Sequence, residues 1–295
     1  MNFQVVVHRQ ASVNAISLLR VGLLAAVLLT LRTSLAQGQD RPSKSRNIVY
    51  REVGAQKLKL DFYMPQTAAP ASGYPLIVSI HGGGWETGNR FEDYIFREMT
   101  QRGFALASID YRLSSEAKYP AQFEDVRAAV KWLVGNSASW HLDTNRFFAA
   151  GFSAGGHLAL MLGLAQNPGD RTIKAVCALY PPTDLTTILP GKMRSETNNP
   201  VADLLGGPLT EKLALAREAS PITYVRKDSV PVLIFHGDAD NVVPLAQSQA
   251  LSRAMKAAGA KCTLMVYPNQ GHGFWLQNGD LAQVASFFEK SVKTE

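Results

Sequence analysis

One serine lies in a sequence that could make its hydroxyl group a nucleophile. Ser153 is the centre of the pattern Gly-Phe-Ser-Ala-Gly, which follows the apolar run 146–150 and precedes the run of small and apolar residues 156–163. This order is typical of a strand, a sharp turn and a helix, with the serine at the tip of the turn. Gly151 and Gly155 suit such a turn, because only small neighbours fit a backbone folded so tightly. A serine hydroxyl reacts when a base takes its proton, so the chain should also supply a base, an acid and an oxyanion hole.

A base for this serine is sought among the six histidines of the chain. His272 follows the last predicted strand and lies between two glycines, so its ring is free to reach over Ser153. It also comes last in the chain order serine, acid, histidine that is typical of this type of nucleophile. We therefore expect His272 to be the base. The other five histidines are expected to lie in the amino-terminal leader, on the surface or in local structural contacts, and they are His8, His81, His141, His157 and His236.

The acid that orients the histidine ring should lie between Ser153 and His272, at the end of a strand. The run His-Gly-Asp-Ala-Asp at 236–240 ends a predicted strand and offers two carboxylates. Asp238 is nearer to the strand and could bond loop amides as a turn former. Asp240 lies further out on the loop and has the longer reach. The residues alone leave both candidates open, with a slight preference for Asp240.

Backbone N–H donors must be placed in advance around the negative charge that develops when a carbonyl group is attacked. Ala154, directly after Ser153, supplies one donor at the amino end of the following helix. The glycine triplet 82–84 follows another buried strand and can supply one or two more, because a side chain there would block close approach. These positions together predict an oxyanion hole.

Eight predicted strands and the helices between them have to position these residues. From residue 75 onward, continuous apolar strands alternate with helices, which is typical of a mostly parallel sheet covered on both faces. In such sheets the site lies beyond the carboxyl ends of the strands, where the motifs above fall. We predict one α/β domain over residues 47–295, with a polar, lid-like insertion of short helices at 183–228. The predicted strands span residues 47–53, 57–64, 75–80, 104–109, 146–150, 175–180, 231–235 and 261–267.

Composition and charge argue against some classes of function. The chain has 295 residues, 46% of them hydrophobic, and its Lys and Arg residues are scattered despite a net charge of +6, so no nucleic-acid surface is predicted. It lacks a His-Glu-x-x-His motif or another cluster of metal ligands, and no metal or cofactor is expected. Its two cysteines, Cys177 and Cys262, lie in predicted core strands, where a disulfide is allowed but not required.

The amino-terminal residues predict export. Residues 1–20 carry two arginines and no acid, and they precede the uncharged apolar run 21–31, which is short for a bilayer span. Small residues at the minus-three and minus-one positions before residue 37 are typical of a signal-peptide cleavage site. We expect a signal peptide over 1–36, cleavage after Ala36, a secreted or periplasmic protein, and no stable membrane insertion after cleavage. An uncleaved anchor is the alternative, and residues 37–46 are predicted to be a flexible tether.

Five motifs, in this order along the chain, resemble those of the α/β-hydrolase esterases. They are His-Gly-Gly-Gly-Trp at 81–85, Asp-Tyr-Arg-Leu at 110–113, Gly-Phe-Ser-Ala-Gly-Gly at 151–156, His-Gly-Asp-Ala-Asp-Asn-Val-Val-Pro at 236–244 and Gly-His-Gly-Phe at 271–274. The chain is similar in particular to the exported branch related to bifunctional feruloyl/acetyl-xylan esterases and, more distantly, to the hormone-sensitive-lipase group. The resemblance extends from about residue 47 to the carboxyl terminus and implies the α/β-hydrolase fold with its eight-stranded sheet.

The resemblance also implies roles for individual residues. In the similar motif the acid is the second aspartate, which implies Asp240, and the matching oxyanion donors are Gly83, Gly84 and Ala154. This chain has little room for the helical amino-terminal cap of the hormone-sensitive-lipase group, so the insertion at 183–228 is the expected lid and an open cleft is the expected result. Three aromatic residues are expected either to line that cleft or to pack in the core, namely Trp85, Tyr111 and Trp275.

The resemblance implies a serine carboxylic-ester hydrolase that works through an acyl-enzyme without a cofactor. Acetyl, short-chain and feruloyl esters, either small molecules or linked to polysaccharide, are the expected substrates. An amidase, peptidase or arylformamidase-like hydrolase is the alternative on the same fold. A non-catalytic binding module is the alternative from another class, although such proteins usually lose a member of the triad and none is missing here. The oligomeric state is not predicted by the sequence.

Overall fold

A computed structural model of the chain describes residues 43–92, 94–167, 169–188 and 199–292. These residues belong to one compact unit. The predicted signal peptide, 1–36, lies outside the described residues, as do residues 37–42 of the predicted tether.

Eight strands form a single sheet in the order β1-β2-β4-β3-β5-β6-β7-β8. β2 pairs antiparallel with β1 and with β4, and the remaining neighbours pair parallel. The predicted mostly parallel, eight-stranded sheet is confirmed. The strands are β1 (Ser43–Val53), β2 (Gln56–Met64), β3 (Tyr74–Ile80), β4 (Ala105–Ile109), β5 (Leu142–Phe152), β6 (Ile173–Leu179), β7 (Val232–Gly237) and β8 (Cys262–Tyr267).

The tether predicted over residues 37–46 is wrong at its carboxyl end, because β1 already begins at Ser43. Backbone pairing with β2 holds this segment in the sheet, with Ser43 opposite Met64. The charges of the segment are also partnered: Lys44 Nζ lies 3.9 Å and Arg46 Nε 3.7 Å from Oδ2 of the buried Asp61. A polar run that looked flexible in the sequence is therefore an edge strand held by ion pairs.

Helices cover both faces of the sheet. Along β3, Leu76 and Val78 belong to one hydrophobic cluster and Ile77 to the other, so the strand is buried on both sides as predicted. α2, α3 and α6 pack on the first cluster, whereas α1 and α7 pack on the second. None of the helices in the described residues is long and apolar enough to cross a membrane. The helices are α1 (Tyr94–Arg97, continued by a 3-10 helix, Glu98–Arg102), α2 (Ala121–Gly135), α3 (Ala154–Leu164), α4 (Pro200–Leu205), α5 (Leu209–Glu218), α6 (Ala246–Ala257) and α7 (Asn278–Ser291).

The helix α2 combines an apolar stripe with one buried, ion-paired carboxylate. Val126, Ala129 and Leu133 are spaced by three and four residues and are buried, as the sequence pattern predicts. Asp125 on the same helix accepts hydrogen bonds from Arg112 Nε at 2.7 Å and from its Nη2 at 2.9 Å. This two-point contact fixes the loop that follows β4 against the helix.

The segment between β6 and β7 contains the insertion predicted at 183–228. Its described parts, 183–188 and 199–228, include α4, α5 and a 3-10 helix, Pro221–Tyr224. Asn199 caps α4, because its Oδ1 accepts from the N–H groups of Val201 at 3.0 Å and Ala202 at 2.9 Å. The insertion thus contributes ordered short helices, as the sequence predicts for this segment.

The two cysteines are free thiols. Cys177 lies in β6 and pairs with Leu233 of β7, which in turn pairs with Thr263, the neighbour of Cys262 in β8. A whole strand therefore separates the two thiols, and the disulfide that the sequence allowed does not form.

Candidate active site

Ser153 lies at a sharp turn between β5 and α3, as the sequence predicts. Its backbone angles, φ 53° and ψ −123°, fall outside the regions that ordinary residues prefer. The turn requires glycine on both sides: a Cβ atom at Gly151 would lie 2.4 Å from the carbonyl oxygen of Gly155, and one at Gly155 would lie 2.1 Å from that of Ile80. The N–H of Ser153 donates to the Leu179 carbonyl of β6 at 2.9 Å. The turn is thus held against the sheet, with the serine side chain half-buried at its tip.

Three side chains form a hydrogen-bonded chain at the carboxyl ends of β5, β7 and β8. His272 Nε2 lies 3.0 Å from Ser153 Oγ, and His272 Nδ1 lies 2.7 Å from Asp240 Oδ2. Because an ionised carboxylate only accepts, Nδ1 carries the ring proton and Nε2 is left as the acceptor for the serine hydroxyl. Tyr180 packs at an angle against the His272 ring, with ring centroids 4.6 Å apart. The structure thus aims a basic nitrogen at the Ser153 proton.

The carboxylate of Asp240 is buried and contacts donors on both oxygens. Oδ1 accepts from the N–H groups of Val242 and Val243, each at 2.9 Å. Oδ2 accepts from His272 and lies 3.3 Å from Nε2 of His236. Burial by itself would raise the pKa of Asp240, but the hydrogen bonds from His236 and His272 outweigh burial and hold the pKa well below its usual range. Asp240 is therefore ionised near neutral pH.

Asp238, the other candidate acid, has a different task. Its side chain is exposed, and its Oδ1 accepts from the N–H of Asn269 at 2.7 Å. Asp238 therefore braces the turn after β8 and has no contact with His272. The structure brings Asp240 to the histidine, in agreement with the position that the resemblance implies.

His236 is a histidine that the sequence analysis expected in a structural position near the site. Its Nε2 lies 2.8 Å from the Val243 carbonyl oxygen, and its Nδ1 lies 2.7 Å from Ser248 Oγ. A carbonyl oxygen only accepts, so Nε2 carries the proton and Ser248 donates its hydroxyl to Nδ1. The same Nε2–H faces Asp240 Oδ2, so His236 contacts the carboxylate directly. The sequence pattern did not predict this contact.

The three predicted oxyanion donors lie on two elements beside the serine. Gly83 and Gly84 lie on the loop after β3, and Ala154 begins α3. In the part of the chain that the structure describes, no protein acceptor is found for the backbone N–H groups of these three residues. The loop is a tight turn, because the Gly83 carbonyl accepts from the N–H groups of Glu86 and Thr87, each at 3.0 Å. Gly83 has a φ of 94°, and a Cβ atom there would lie 2.3 Å from the Thr87 carbonyl oxygen, so glycine is required.

Tyr111 was expected either to line the cleft or to pack in the core. The structure places it in the core, so the cleft position is wrong for this residue. Its side chain is buried, and its hydroxyl lies 3.2 Å from the carbonyl oxygens of both His81 and Gly82. Its ring stacks on His81, with centroids 4.2 Å apart. Burial lowers the pKa of His81 to about 4, so this imidazole is neutral at pH 7. Tyr111 and His81 therefore support the glycine loop from beneath.

The cleft alternative is also wrong for Trp85. This residue is 2% exposed and belongs to the core, because the chain turns inward directly after the glycine loop. Its indole Nε1 lies 3.3 Å from His157 Nδ1, and its carbonyl accepts from the N–H of Ser114 at 2.7 Å. His157 itself is buried in the first turn of α3, which agrees with the expected local role.

Trp275 is 61% exposed and belongs to an aromatic wall beside the serine, which also contains Tyr94 and Phe152. The Trp275 ring lies 4.5 Å from the Tyr94 ring, which lies 6.1 Å from that of Phe152, the residue before Ser153. Local sequence patterns do not mark Tyr94 or Tyr180, because only the fold brings Tyr94 near Phe152 and Tyr180 near His272. The ring of Trp275 is exposed and therefore open to contact with a substrate.

The groups gathered here suit nucleophilic and acid–base chemistry. They are a serine oxygen, an imidazole with an acceptor nitrogen, an ionised carboxylate and backbone N–H groups for which the described residues supply no acceptor. Such a set is suited to moving an acyl group onto serine. Over the described residues, no group of three or more His, Cys, Asp or Glu side chains is placed to hold a metal ion.

The serine lies at a strand–helix turn, and the acid and the histidine follow later strands of a mostly parallel sheet. This arrangement defines an α/β-hydrolase with a Ser-His-Asp site. The resemblance found in the sequence is confirmed at this level. The chain belongs to the BD-FAE family, an α/β-hydrolase esterase family whose model matches residues 60–255.

Several known proteins similar to this chain are esterases. Esterase LipQ of Mycobacterium tuberculosis is 30% identical over 246 residues, and the match covers 79% of this chain but only 58% of LipQ. The truncated form of a carbohydrate esterase from gut microbiota superposes with a TM-score of 0.76 at 28% identity, covering 87% of this chain and 99% of that one. A thermophilic esterase of the planctomycete Thermogutta terrifontis, Est2, gives a TM-score of 0.66 at 28% identity, covering 83% of this chain and 89% of that one.

Proposed function

We propose that this protein is a serine carboxylic-ester hydrolase that acts through an acyl-enzyme. The observation that carries the proposal is the continuous chain from Ser153 Oγ through the two nitrogens of His272 to Asp240 Oδ2, with distances of 3.0 Å and 2.7 Å. The first distance is short enough for His272 to take the proton of Ser153, and the second lets the Asp240 carboxylate orient the imidazole ring. Membership of an esterase family supports the same reaction.

In the first half of the reaction, His272 Nε2 takes the Ser153 proton while the serine oxygen attacks the ester carbonyl carbon. The carbonyl π electrons move onto oxygen, and this oxyanion accepts hydrogen bonds from the backbone N–H groups of Gly83, Gly84 and Ala154. When the tetrahedral intermediate collapses, the bond to the alcohol oxygen breaks. His272 gives its new proton to that oxygen, and an acyl group remains on Ser153.

In the second half, a water molecule takes the place of the alcohol. His272 Nε2 removes a proton from the water as its oxygen attacks the acyl carbon, and the same three N–H groups hold the second oxyanion. Collapse breaks the bond to Ser153 Oγ, which recovers its proton from His272. The products are an alcohol and a carboxylic acid. Asp240 remains a carboxylate throughout, holding the Nδ1–H tautomer and offsetting the charge of the imidazolium.

The proposed substrates are acetyl, short-chain or feruloyl esters, especially those carried by carbohydrate. Trp275 offers an exposed ring three residues after His272, and the faces of such rings pack well against the apolar faces of other rings. Its neighbour Tyr94 is 38% exposed, so the wall is open to solvent and suited to an extended substrate. The similarity to a carbohydrate esterase points the same way. The insertion at 183–228 is proposed to act as a small lid.

The protein is proposed to be exported to the periplasm or to the medium. The support is the order of residues 1–36, with basic residues, an apolar run and small residues before position 37. Amino-terminal sequencing of the secreted protein should return a chain that begins at Gln37. A chain that begins at residue 1 and sediments with membranes would favour an anchor instead.

The reaction is tested by labelling the purified protein with a fluorophosphonate and by assaying a panel of substrates. The panel contains nitrophenyl esters of rising chain length, methyl ferulate, acetylated xylan and matched anilides. We expect a single label on Ser153, ester hydrolysis well above anilide hydrolysis, and loss of both label and activity in Ser153→Ala with an unchanged melting temperature. Faster anilide than ester cleavage would make the protein an amidase, and an unlabelled, inactive wild type would overturn the enzyme proposal.

A further inference from the structure

Trp85 and His157 form a buried cross-link that the proposed reaction does not use. The Nε1–H of Trp85 donates to His157 Nδ1 at 3.3 Å, and the two rings meet edge to face with centroids 5.1 Å apart. His157 Nε2 in turn donates to the carbonyl oxygen of Ala219 at 2.6 Å. Trp85 is 2% exposed, and His157 and Ala219 are fully buried. Two successive hydrogen bonds are therefore shielded from water. Hydrogen bonds in the protein interior are stronger than those at the surface.

The two partners of His157 allow only one state of its ring. An indole N–H can only donate, and a carbonyl oxygen can only accept. His157 must therefore be neutral, with its proton on Nε2. A second proton on Nδ1 would place two N–H groups against each other, and burial disfavours the charged ring in any case. The cross-link is thus a fixed structural element at neutral pH.

The cross-link connects the two elements that carry the proposed oxyanion donors. Trp85 directly follows Gly84 on the glycine loop. His157 lies in the first turn of α3, close behind Ala154, and its N–H donates to the Ser153 carbonyl at 3.0 Å. Donors from both elements must aim at the same oxygen atom of the substrate. A bond between Trp85 and His157 therefore sets the spacing between the two parts of the oxyanion hole.

The far end of the cross-link lies in the insertion. Ala219 directly follows α5, so its carbonyl anchors His157 to that part of the chain. Another part of the insertion lies close to the same loop, because a Cβ atom built at Gly84 would lie 3.3 Å from the ring of Pro200, the first residue of α4. The insertion therefore lies next to the glycine loop at Pro200 and is linked to it through His157 and Trp85.

We infer that Trp85 and His157 are positioning residues that hold the two parts of the oxyanion hole in register, anchored on Ala219 of the insertion. The inference rests on the proposed function. The glycine loop is also held by the Tyr111 hydroxyl and by the N–H of Ser114, so loss of the cross-link displaces the loop without unfolding it. When an N–H donor of the oxyanion hole is displaced, the transition state is bound less tightly, whereas substrate binding changes little. We therefore expect kcat to decrease more than KM increases.

Four variants test this inference. Trp85→Phe keeps an aromatic ring and removes the N–H donor, whereas His157→Leu removes both hydrogen bonds. His157→Gln keeps one acceptor and one donor on a side chain of suitable length. Leu160→Ala is the control for lost packing, because it opens a cavity beside the same buried helix and removes neither hydrogen bond of the cross-link. Each variant is assayed with 4-nitrophenyl acetate, for inhibition by a trifluoromethyl ketone that forms a tetrahedral adduct, and for its melting temperature.

We expect Trp85→Phe and His157→Leu each to lower kcat by about tenfold, less than the ~10²–10³ lost with a whole oxyanion donor. KM should change little, and inhibition by the ketone should weaken by the same factor as kcat. The double variant should cost no more than either single variant, since both break the same connection. His157→Gln should recover most of the activity, and Leu160→Ala should lose stability while keeping kcat.

The inference is wrong if Trp85→Phe and His157→Leu behave like Leu160→Ala, with a lower melting temperature and unchanged kcat and ketone binding. Additive losses in the double variant would also overturn it, because they would show two independent roles. These outcomes leave the esterase proposal intact as long as the wild type hydrolyses esters. A wild type that neither hydrolyses esters nor labels on Ser153 would instead overturn the proposed function and this inference with it.

Discussion

Nε2 of His236 lies 3.3 Å from Oδ2 of Asp240, the same carboxylate oxygen that accepts from His272. Together with two backbone N–H groups on Oδ1, this contact places four donors around one buried carboxylate. The carboxylate can neither rotate nor take up a proton without losing several of them. The orientation of Asp240, and through it that of the His272 ring, is therefore over-determined by its surroundings.

Replacement of Asp240 by Asn should leave a folded but nearly inactive protein. An amide can present an N–H to His272 Nδ1, so the ring proton moves to Nε2 and the nitrogen facing Ser153 can no longer act as a base. By this loss of tautomer control we expect kcat to fall by about 10⁴-fold. Asp238→Asn is the matched control, because the Asp238 carboxylate braces the turn at Asn269, and it should keep kcat within about threefold. The reverse result would make Asp238 the acid.

Replacement of His236 by Leu should slow the reaction through Asp240. A hydrogen bond to a charged group is worth about 1.5–3 kcal/mol, which corresponds to a loss of roughly 10- to 100-fold in kcat if it is expressed fully in the transition state. Ser248→Ala should cost less, because it leaves the Nε2–H contact with Asp240 in place. Steady-state kinetics over a pH series checks both variants. An unchanged kcat in His236→Leu, with only a lower melting temperature, would reduce His236 to a packing role.

Replacement of Gly83 by Ala should disturb the oxyanion hole. The added Cβ would lie 2.3 Å from the Thr87 carbonyl oxygen at a φ of 94°, so the loop backbone has to move. We expect kcat to fall by about 10²–10³-fold with a smaller change in KM. Gly103→Ala is the control for backbone strain alone, because Gly103 also has a positive φ, of 84°, but a Cβ there meets nothing within 4 Å. Equal kinetic losses in both variants would place the hole elsewhere.

The sequence predicts the fold and the placement of Ser153 beside His272 well, for a physical reason. The apolar strands, the glycines around Ser153 and the glycines around His272 are local patterns, and each follows from what one short segment needs. The choice between Asp238 and Asp240 depends on which carboxylate turns towards a ring from another strand, and the residues alone left it open. The burial of Trp85 and Tyr111 likewise depends on contacts with α3 and with the His81 loop, which are distant in sequence. Side-chain contacts of this kind depend on the tertiary fold and cannot be predicted from the local spacing of residues. The contact between His236 and Asp240 is another example.

Replacement of Trp275 by Ala should affect large substrates more than small ones. The exposed ring is proposed to pack against a sugar or aryl ring of the substrate, and ring packing of this kind is worth about 0.5–1.5 kcal/mol. KM for acetylated xylo-oligosaccharides should therefore rise about two- to tenfold, while kinetics with ethyl acetate should stay unchanged. Phe91→Ala removes another exposed aromatic side chain, one whose ring contacts Arg90, and serves as the control. Equal changes for both substrates would argue against contact between Trp275 and the substrate.

Two buried histidines should make the folded state sensitive to mild acid. Burial lowers the pKa of both His81 and His157 from 6.5 to about 4. Above pH 6.5 both rings are neutral whether the chain is folded or unfolded, so their full contribution to stability is present. Between pH 6.5 and pH 4 the unfolded chain binds protons that the folded chain does not, and the free energy of unfolding falls as the pH falls. Each histidine should remove about 3 kcal/mol over this window.

Urea unfolding at pH 7, 6 and 5 measures this dependence, and His157→Gln separates the two histidines. The variant starts from its own stability at pH 7, so the quantity compared is the change in the free energy of unfolding with pH. Gln does not titrate, so the variant should keep the pH-dependent loss of stability due to His81 and lack the part due to His157. Its free energy of unfolding should therefore fall with pH by about half of the amount that the two histidines cause in the wild type. If the variant loses stability with falling pH as steeply as the wild type, His157 must already be able to take up a proton within the folded protein.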